Sequence, residues 1–565
     1  MKTIWKIKKG LKDILSRERG TIHKEAGGRL RVALLYPNTY RAGMSNLGFQ
    51  TVYRLLNERA DTVCERAFLP EKKTLEEMER SRTPLLTLES QTPVDRFHVV
   101  AFSVSFEEDY LNVLRLLELS RIPLYSKERT GRPLIVAGGC APSLNPEPLS
   151  EFIDIFFIGE AEERLTDLMD TVTATLDMDK EEALRRLTTV ESVYVPSFYR
   201  FHFKDERVES IEALAPARMP VRRAMVKDVD SYLPSTALFT PLTEFGNTLL
   251  VEVERGCPRG CRFCAAGFLY LPPRWRKKAL IEECIEHIPE DISRVGLVGS
   301  AVSEYPALKE ILKRFSDRVD ITLSSLRLDV LDDELLRLLK ASGYTTITVA
   351  PEAGSERLRR IINKPLGDEE IIHGFEMIQE AGFHRLKLYF MIGLPEETDE
   401  DILSMAALVR RAREILKGGH ITVSVTPFVP KPLTPFQWHR FEHTDVLKAR
   451  YRLLKKTLSG TKGVEIKPIS MDASLVQAYL SRADRRASRV LTLALKTGWK
   501  KALKEYKDFI EASIHRQRDY EEPLPWDTID SGIRKLYLWE EYTRALEEKT
   551  TPPCRPEVCT RCGVC

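Results

Sequence analysis

The chain has 565 residues, 43% of them hydrophobic and 30% charged, with 86 Lys and Arg against 83 Asp and Glu and a formal net charge of +3. This composition excludes a disordered, collagen-like or membrane-spanning chain, and the balanced charge gives no sign of a globally basic nucleic-acid binder. The length suggests about three or four domains and a core that needs no disulfides. Seven of the ten cysteines fall in two tight groups, Cys257, Cys261, Cys264 and Cys554, Cys559, Cys562, Cys565, while Cys64, Cys140 and Cys284 stand alone. In a chain this large, such grouping points to metal binding in a reducing cytosol rather than to a disulfide framework, so a cytoplasmic location is expected.

The N-terminus carries charges throughout and lacks the apolar h-region of a signal peptide. Ile4, Ile7, Leu11 and Leu15 recur at helical spacing, which predicts a surface helix packed on the first domain. No run approaches the roughly 18 apolar residues of a membrane helix, so no membrane partner is expected. Residues 31–36, 98–105, 133–137 and 153–158 read as strands, with helices over 47–59 and 109–120 between them. This alternation predicts βαβ units and a parallel sheet in a Rossmann-like domain over residues 1–170. A connecting region with a helix and small β pieces follows over 171–240, punctuated by Pro216, Pro220 and Pro234.

From 241 to 440 the alternation resumes. Strands are expected at 248–254, 294–299, 320–325, 345–350, 385–392 and 421–429, separated by helical patterns. Six strand–helix units in order read as a partial (β/α)6 TIM-type barrel rather than an open doubly wound sheet. Residues 441–550 read as helical, and 551–565 form a cysteine-rich metal-binding tail. The fold class is therefore α/β.

The first cysteine group has the spacing C-x3-C-x2-C just after the first barrel strand, within VEVERGCPRGCRFCAAG. Three thiolates from one short loop can bind three corners of an iron–sulfur cube and leave one iron open. Arg255, Arg259 and Arg262 are expected to help hold the thiolates ionised, and Gly256 and Gly260 to let the backbone turn tightly. A structural zinc loop completed by a distant ligand is the plainer alternative.

Cys257-x3-Cys261-x2-Cys264, with aromatic Phe263 before the last cysteine, resembles the radical S-adenosylmethionine (SAM) superfamily. The resemblance implies a [4Fe–4S] cluster on these cysteines, SAM on the open iron, and reductive cleavage of SAM to a 5′-deoxyadenosyl radical that abstracts a substrate hydrogen. It also implies a reductase or ferredoxin-type electron donor. SAM contacts are then expected at Gly299 and Ser300 after the second strand, Ser325 and Arg327 after the third, Glu352 after the fourth and Gly393 after the fifth. Gly299-Ser300-Ala301 departs from the family's two-glycine-and-acid form. Ser355 reads equally as a helix N-cap.

The first domain, with RVALLYPNTYRAGMSNLGFQ, HVVAFSVSFEED, LIVAGGCAPSLNPEP and FIDIFFIGEAEE, resembles the cobalamin-binding domain fused ahead of some radical SAM barrels. Ser103, Ser105, Gly138 and Gly139 match positions near the nucleotide tail of cobalamin. The D-x-H-x-x-G motif that ligates cobalt is absent, since residues 36–48 contain no His. Cobalamin binding without that ligand and retention of the bare fold both stay open. His98 reads as structural.

Arg482, Arg485, Arg486, Arg489, Lys496, Lys500, Lys501, Lys504 and Lys507, with Trp499, Tyr506 and Phe509 interleaved, fit an RNA-binding face or a solvated helical surface. Asp527 and Asp530 read as caps or substrate contacts. In the tail, Cys554-x4-Cys559-x2-Cys562-x2-Cys565 resembles the start of a ferredoxin-type ligand run, which favours a second [4Fe–4S] cluster over zinc.

The leading expectation is a radical SAM enzyme catalysing methylation, methylthiolation or another C–H functionalisation, with RNA and protein open as substrates. A cobalamin-dependent methyltransferase is the alternative within enzymes. A zinc-bearing RNA-binding or assembly protein is the non-catalytic one.

Overall fold

The computed structural model describes residues 2–323 and 326–565. Ser325, one of the expected SAM contacts, lies outside the described residues, as does Ser324.

The first sheet contains β1 (Leu30–Tyr36), β2 (Thr62–Phe68), β3 (Val99–Ser103), β4 (Leu134–Gly138), β5 (Ile155–Phe157) and β6 (Val193–Tyr194), in spatial order 2-1-3-4-5-6. The first five strands are parallel and β6 runs antiparallel to β5. Strand order reverses between β1 and β3, and a doubly wound sheet opens a ligand crevice at such a point, beyond the strand C-termini. Helix Lys2–Leu15 packs on helix Lys72–Ser81, burying Ile7 and joining Lys6 to Glu77 at 2.8 Å.

Two features of this sheet go beyond the sequence pattern. β2 was not expected, because Glu65 and Arg66 interrupt its apolar run. Both are buried, and Arg66 pairs with Glu18 and Glu89, each at 2.7 Å. β6 carries the sheet past residue 170, where the composition suggested that the domain ends. The region 171–240 otherwise contains helix Lys180–Leu187 and the hairpin Tyr199–Lys204 with Arg207–Ala213.

The second sheet system contains β7 (Leu249–Glu252), β8 (Arg294–Val298), β9 (Asp320–Thr322), β10 (Ile347–Glu352), β11 (Arg385–Ile392), β12 (His420–Pro427) and β13 (Val464–Ile466). All pair in parallel and in sequence order, β7 to β9 in one sheet and β10 to β13 in another. A parallel bridge from Leu326 to Val349 joins the two into one open arc. Six strands match the expected partial barrel. The seventh, β13, corrects the purely helical reading after residue 440: the turn around Gly460 and Gly463 returns three residues beside β12.

The C-terminal helices pack across both domains, so part of the expected basic face is internal. Arg482 is fully buried and donates to the backbone carbonyls of Gln437, Ser513 and Arg516. Arg485 pairs with buried Glu147, and Arg486 with Asp484 and Glu206. Arg489, Lys496, Lys500, Lys501, Lys504 and Lys507 stay exposed. Asp527 accepts the Leu524 N–H and Asp530 the Gly532 N–H, so both act as turn caps. His98 accepts the Arg31 N–H at the start of β1, a structural role. Among the described residues no helix is long and apolar enough to cross a membrane.

Candidate active site

The cysteine loop leaves the barrel after β7 and returns before helix Lys278–Glu286, its base zipped by the antiparallel pairs Glu254 to Trp275 and Arg255 to Arg274. Gly256 has φ +88°, and a Cβ there would fall 2.4 Å from the Tyr270 carbonyl oxygen, so the turn admits only glycine. The Arg259 N–H points at the Cys257 sulfur, and the Ala266 and Gly267 N–H groups point at that of Cys264. The Cys264 N–H donates to the Cys261 carbonyl at 3.0 Å. Burial pushes the Cys257 thiol up to about 12 and the Cys264 thiol to about 11, with the neighbouring loop thiolates adding to both.

The loop arginines do not hold these thiols ionised, contrary to the expectation from sequence. Arg255 pairs with Glu160 at 3.0 Å and Glu162 at 2.6 Å, and Arg259 with Glu304 at 2.7 Å and Asp329 at 3.0 Å. Arg262 is buried against Glu541 at 3.1 Å and donates to the Ile361 and Lys549 carbonyls. Their charge is consumed by carboxylates, and their role is to fix the loop. The positive charge of a bound metal would ionise the thiols.

Among the described residues no three His, Cys, Asp or Glu side chains converge closely enough to hold one metal ion. A cube makes no such demand, because each thiolate binds a different iron. An all-sulfur donor set of three adjacent thiols fits it: Cys257 lies within electrostatic reach of Cys261 and Cys264, and Cys264 of Cys261.

The other expected residues divide into two groups. Ser103, Ser105, Gly138 and Gly139 from the first sheet and Gly299 and Ser300 from the barrel all line one cavity of about 430 Å3. It lies at the β1/β3 switch point and is walled by Val32, Leu34, Ala101 and Val136 of the sheet and by helices Leu47–Glu58 and Leu165–Ala174. Arg327 and Glu352 lie instead by the loop. Arg327 joins Arg259 in a ring of alternating charge with Glu304 and Asp329, close to Cys261. Glu352 has φ +69°, faces Lys364 at 3.4 Å and lies near Cys264, with burial raising its carboxyl. Phe263 is half-buried against the core. Gly393 is under helix Thr444–Thr457: a Cβ there would meet Leu447 at 2.6 Å, and its N–H donates to Glu397. Ser355 caps helix Glu356–Ile361 by accepting the Leu358 N–H.

Several cavity residues carried no recognisable signal in the sequence. Glu254 accepts the Ala301 N–H across the β8 turn, and burial pushes its carboxyl up to about 7. Its side chain occupies the space over Gly299, where a Cβ would come within 2.4 Å of it. Cys140 and Tyr270 face each other from the two domains at 2.8 Å. Arg274 and Arg255 both grip Glu160, at 2.6 and 3.0 Å, and lock the domains together at the cavity rim.

A parallel (β/α) barrel with a three-thiol loop after its first strand, packed against a Rossmann-like sheet, defines a cofactor-dependent α/β enzyme. The model of the radical SAM superfamily matches residues 251–409, and that of the N-terminal region of radical SAM proteins matches residues 48–196. An uncharacterised protein of Methanocaldococcus jannaschii is 30% identical over 470 residues, 81% of this chain and 90% of the relative. A tRNA-2-methylthio-N(6)-dimethylallyladenosine synthase of Cereibacter sphaeroides is 26% identical over 250 residues, 41% of this chain and 53% of that protein. The structure of the radical SAM methyltransferase TsrM from Kitasatospora setae, with cobalamin and a [4Fe–4S] cluster bound, superposes with a TM-score of 0.51 at 13% identity. It covers 84% of this chain and 100% of that one, a likeness of fold. The chain belongs to the radical SAM superfamily. It is an enzyme whose cofactors are a [4Fe–4S] cluster and SAM, and it cleaves SAM reductively to start a radical modification.

Proposed function

We propose that Cys257, Cys261 and Cys264 hold the catalytic cluster, that SAM lies over the strand ends at Gly299, Arg327 and Glu352, and that the neighbouring cavity takes cobalamin for methyl transfer. The cluster supplies an electron to SAM and cobalamin a methyl carrier. The observation that carries the reading is the cavity itself, an apolar slot of about 430 Å3 at the switch point that opens onto the barrel face. The flat aromatic base of the cobalamin nucleotide tail suits a slot walled by Val32, Leu34, Ala101 and Val136. Ala101 lies in the middle of a central strand yet is only half-buried, because it faces this space.

The chain's own groups bind, orient and exclude water. The aliphatic walls keep the slot dry. The paired Glu160, Arg255 and Arg274 fix the slot against the barrel. Glu254, with a carboxyl near 7, can accept or release a proton at neutral pH at the oxygen not held by Ala301. Residues 36–48 contain no His, so cobalt would receive no imidazole from this segment.

Anaerobic loading tests the reading. Wild type should retain both iron and cobalt on gel filtration and convert SAM to 5′-deoxyadenosine after reduction. Ala101→Phe, which fills the slot, should lose cobalt and keep iron. The triple Ala variant of Cys257, Cys261 and Cys264 should keep cobalt and make no 5′-deoxyadenosine. Wild type that never retains cobalt would overturn the cobalamin part, and a triple variant that still cleaves SAM would overturn the cluster assignment.

A further inference from the structure

The C-terminal arm folds back onto the cysteine loop. Buried Thr551 donates its N–H to Asn363 Oδ1 at 2.8 Å and its hydroxyl to Glu541 at 2.6 Å. The Cys554 N–H donates to the Pro258 carbonyl at 2.6 Å. Cys554 is thereby separated from Cys257 by one hydrogen bond and one peptide unit. Further on, the Cys562 carbonyl accepts the Arg534 N–H at 2.9 Å, and Gly563, at φ +88°, passes so close to Arg534 that a Cβ would sit 3.0 Å from its side chain. Four residues of the arm are thus pinned, two of them cysteines.

The pinned arm gathers its thiols. The thiols of Cys554 and Cys559 are hydrogen-bonded neighbours, Arg561 Nε donates to the Cys559 sulfur at 3.4 Å, and Cys562 is buried. Each of the four thiols is within electrostatic reach of at least two others. Cys554, Cys559 and Cys562 wall one side of a narrow cavity of about 30 Å3 whose other side is Pro258 and Gly260 of the catalytic loop. A [4Fe–4S] cube takes four thiolates, one at each iron corner. The C-x2-C-x2-C run of residues 559–565 supplies three of those corners in the ferredoxin manner, and Cys554 the fourth.

We infer that Cys554, Cys559, Cys562 and Cys565 bind a second iron–sulfur cluster, through which electrons reach the cluster on Cys257, Cys261 and Cys264. The relay rests on the catalytic-cluster assignment proposed above; the second site does not. Cys565 is exposed whereas the Cys554 N–H is held on the Pro258 carbonyl, so the tail offers the solvent-facing entry at Cys565 and Cys554 the inner end. One electron leaves a low-potential iron–sulfur or flavin carrier protein, which is oxidised by one electron. The tail cluster is reduced and returns to its oxidised form on passing that electron inward, with no bond or proton moved.

Iron, acid-labile sulfide and zinc in the anaerobically reconstituted full chain test the site. Wild type should hold about eight irons, and the triple Ala variant of Cys257, Cys261 and Cys264 should keep about four, with a distinct EPR signal when reduced. Cys559→Ala/Cys562→Ala should also keep about four, those of the catalytic loop. Cys565→Ala, which removes an exposed thiol and no packing, should perturb only the tail signal. A triple variant with no iron, or with zinc in its place, overturns the second cluster. A tail double variant with no iron instead counts against the catalytic assignment. For the relay, reduction of the catalytic cluster by a reduced ferredoxin should lose its fast phase in Cys565→Ala while dithionite reduction is unchanged. Equal ferredoxin rates in wild type and variant overturn the relay.

Discussion

Asn363 and Thr551 hold the cysteine loop and the C-terminal arm in one grip. The Asn363 amide donates to the carbonyls of Arg259 at 3.3 Å and Gly260 at 3.1 Å, while its oxygen accepts the Thr551 N–H. Asn363 is itself left-handed, at φ +55°, a conformation that Asn tolerates better than most side chains. Asn363→Ala removes three buried hydrogen bonds and adds backbone strain, so it should destabilise the chain by about 2–4 kcal/mol. Asn363→Asp keeps the bond to Thr551 but sets a carboxylate against two carbonyls. Both variants should release iron to a chelator faster than wild type, read by the loss of visible absorbance.

Arg262 and Glu541 make the second tie beneath the loop. Neither is solvated, and Arg262 also satisfies the carbonyls of Ile361 and Lys549. Arg262→Met leaves the buried Glu541 carboxylate with only the Thr551 hydroxyl and Arg544 at 3.8 Å, and should cost about 3 kcal/mol. Glu541→Gln keeps a hydrogen-bonding group and should cost less. The double variant Arg262→Met/Glu541→Leu should recover part of the single-variant loss, a coupling that a double-mutant cycle on denaturation midpoints would measure.

Gly138 and Gly139 should differ sharply although both line the cavity. A Cβ on Gly139, at φ +112°, would fall 2.4 Å from the Val104 carbonyl oxygen, while one on Gly138 meets nothing closer than 3.4 Å. Gly139→Ala must therefore move backbone and should cost about 1–3 kcal/mol, with loss of cobalamin retention if the slot holds that group. Gly138→Ala should stay within about 1 kcal/mol of wild type. Thermal melts and cobalt content of the two variants make the comparison.

The sequence revealed the alternation of strands and helices, because central strands of parallel sheets read as apolar runs. It hid β2, whose Glu65 and Arg66 look exposed until Glu18 and Glu89 arrive from other parts of the chain. The motif ends Ser103, Gly138 and Gly299 were legible as turns. That they enclose one cavity depends on how the two domains dock. The docking contacts, Arg255 to Glu160 and Cys140 to Tyr270, join residues 95 and 130 positions apart and leave no local pattern. The arginines of the loop illustrate the same limit. Their charge was visible, but the carboxylates that neutralise them come from other strands and helices, so their effect on the thiols was misread.

Glu254 gives the cavity a pH dependence whose sign follows from its environment. Burial is the largest influence on its carboxyl, Glu304 and Glu252 act in the same direction, and the Ala301 N–H opposes them, leaving it near 7 against an ordinary 4.5. Between those values the folded chain keeps a proton that the unfolded chain has released. Stability contributed by this group is therefore full below about pH 4.5, falls as pH rises towards 7, and is flat above it. Glu254→Gln imitates the protonated form at every pH and removes that slope. The stability difference between variant and wild type should grow by about 2–3 kcal/mol in favour of the variant from pH 5 to 7.5. Denaturation midpoints of the two proteins across that range decide it: parallel curves would mean that Glu254 is already ionised at pH 5.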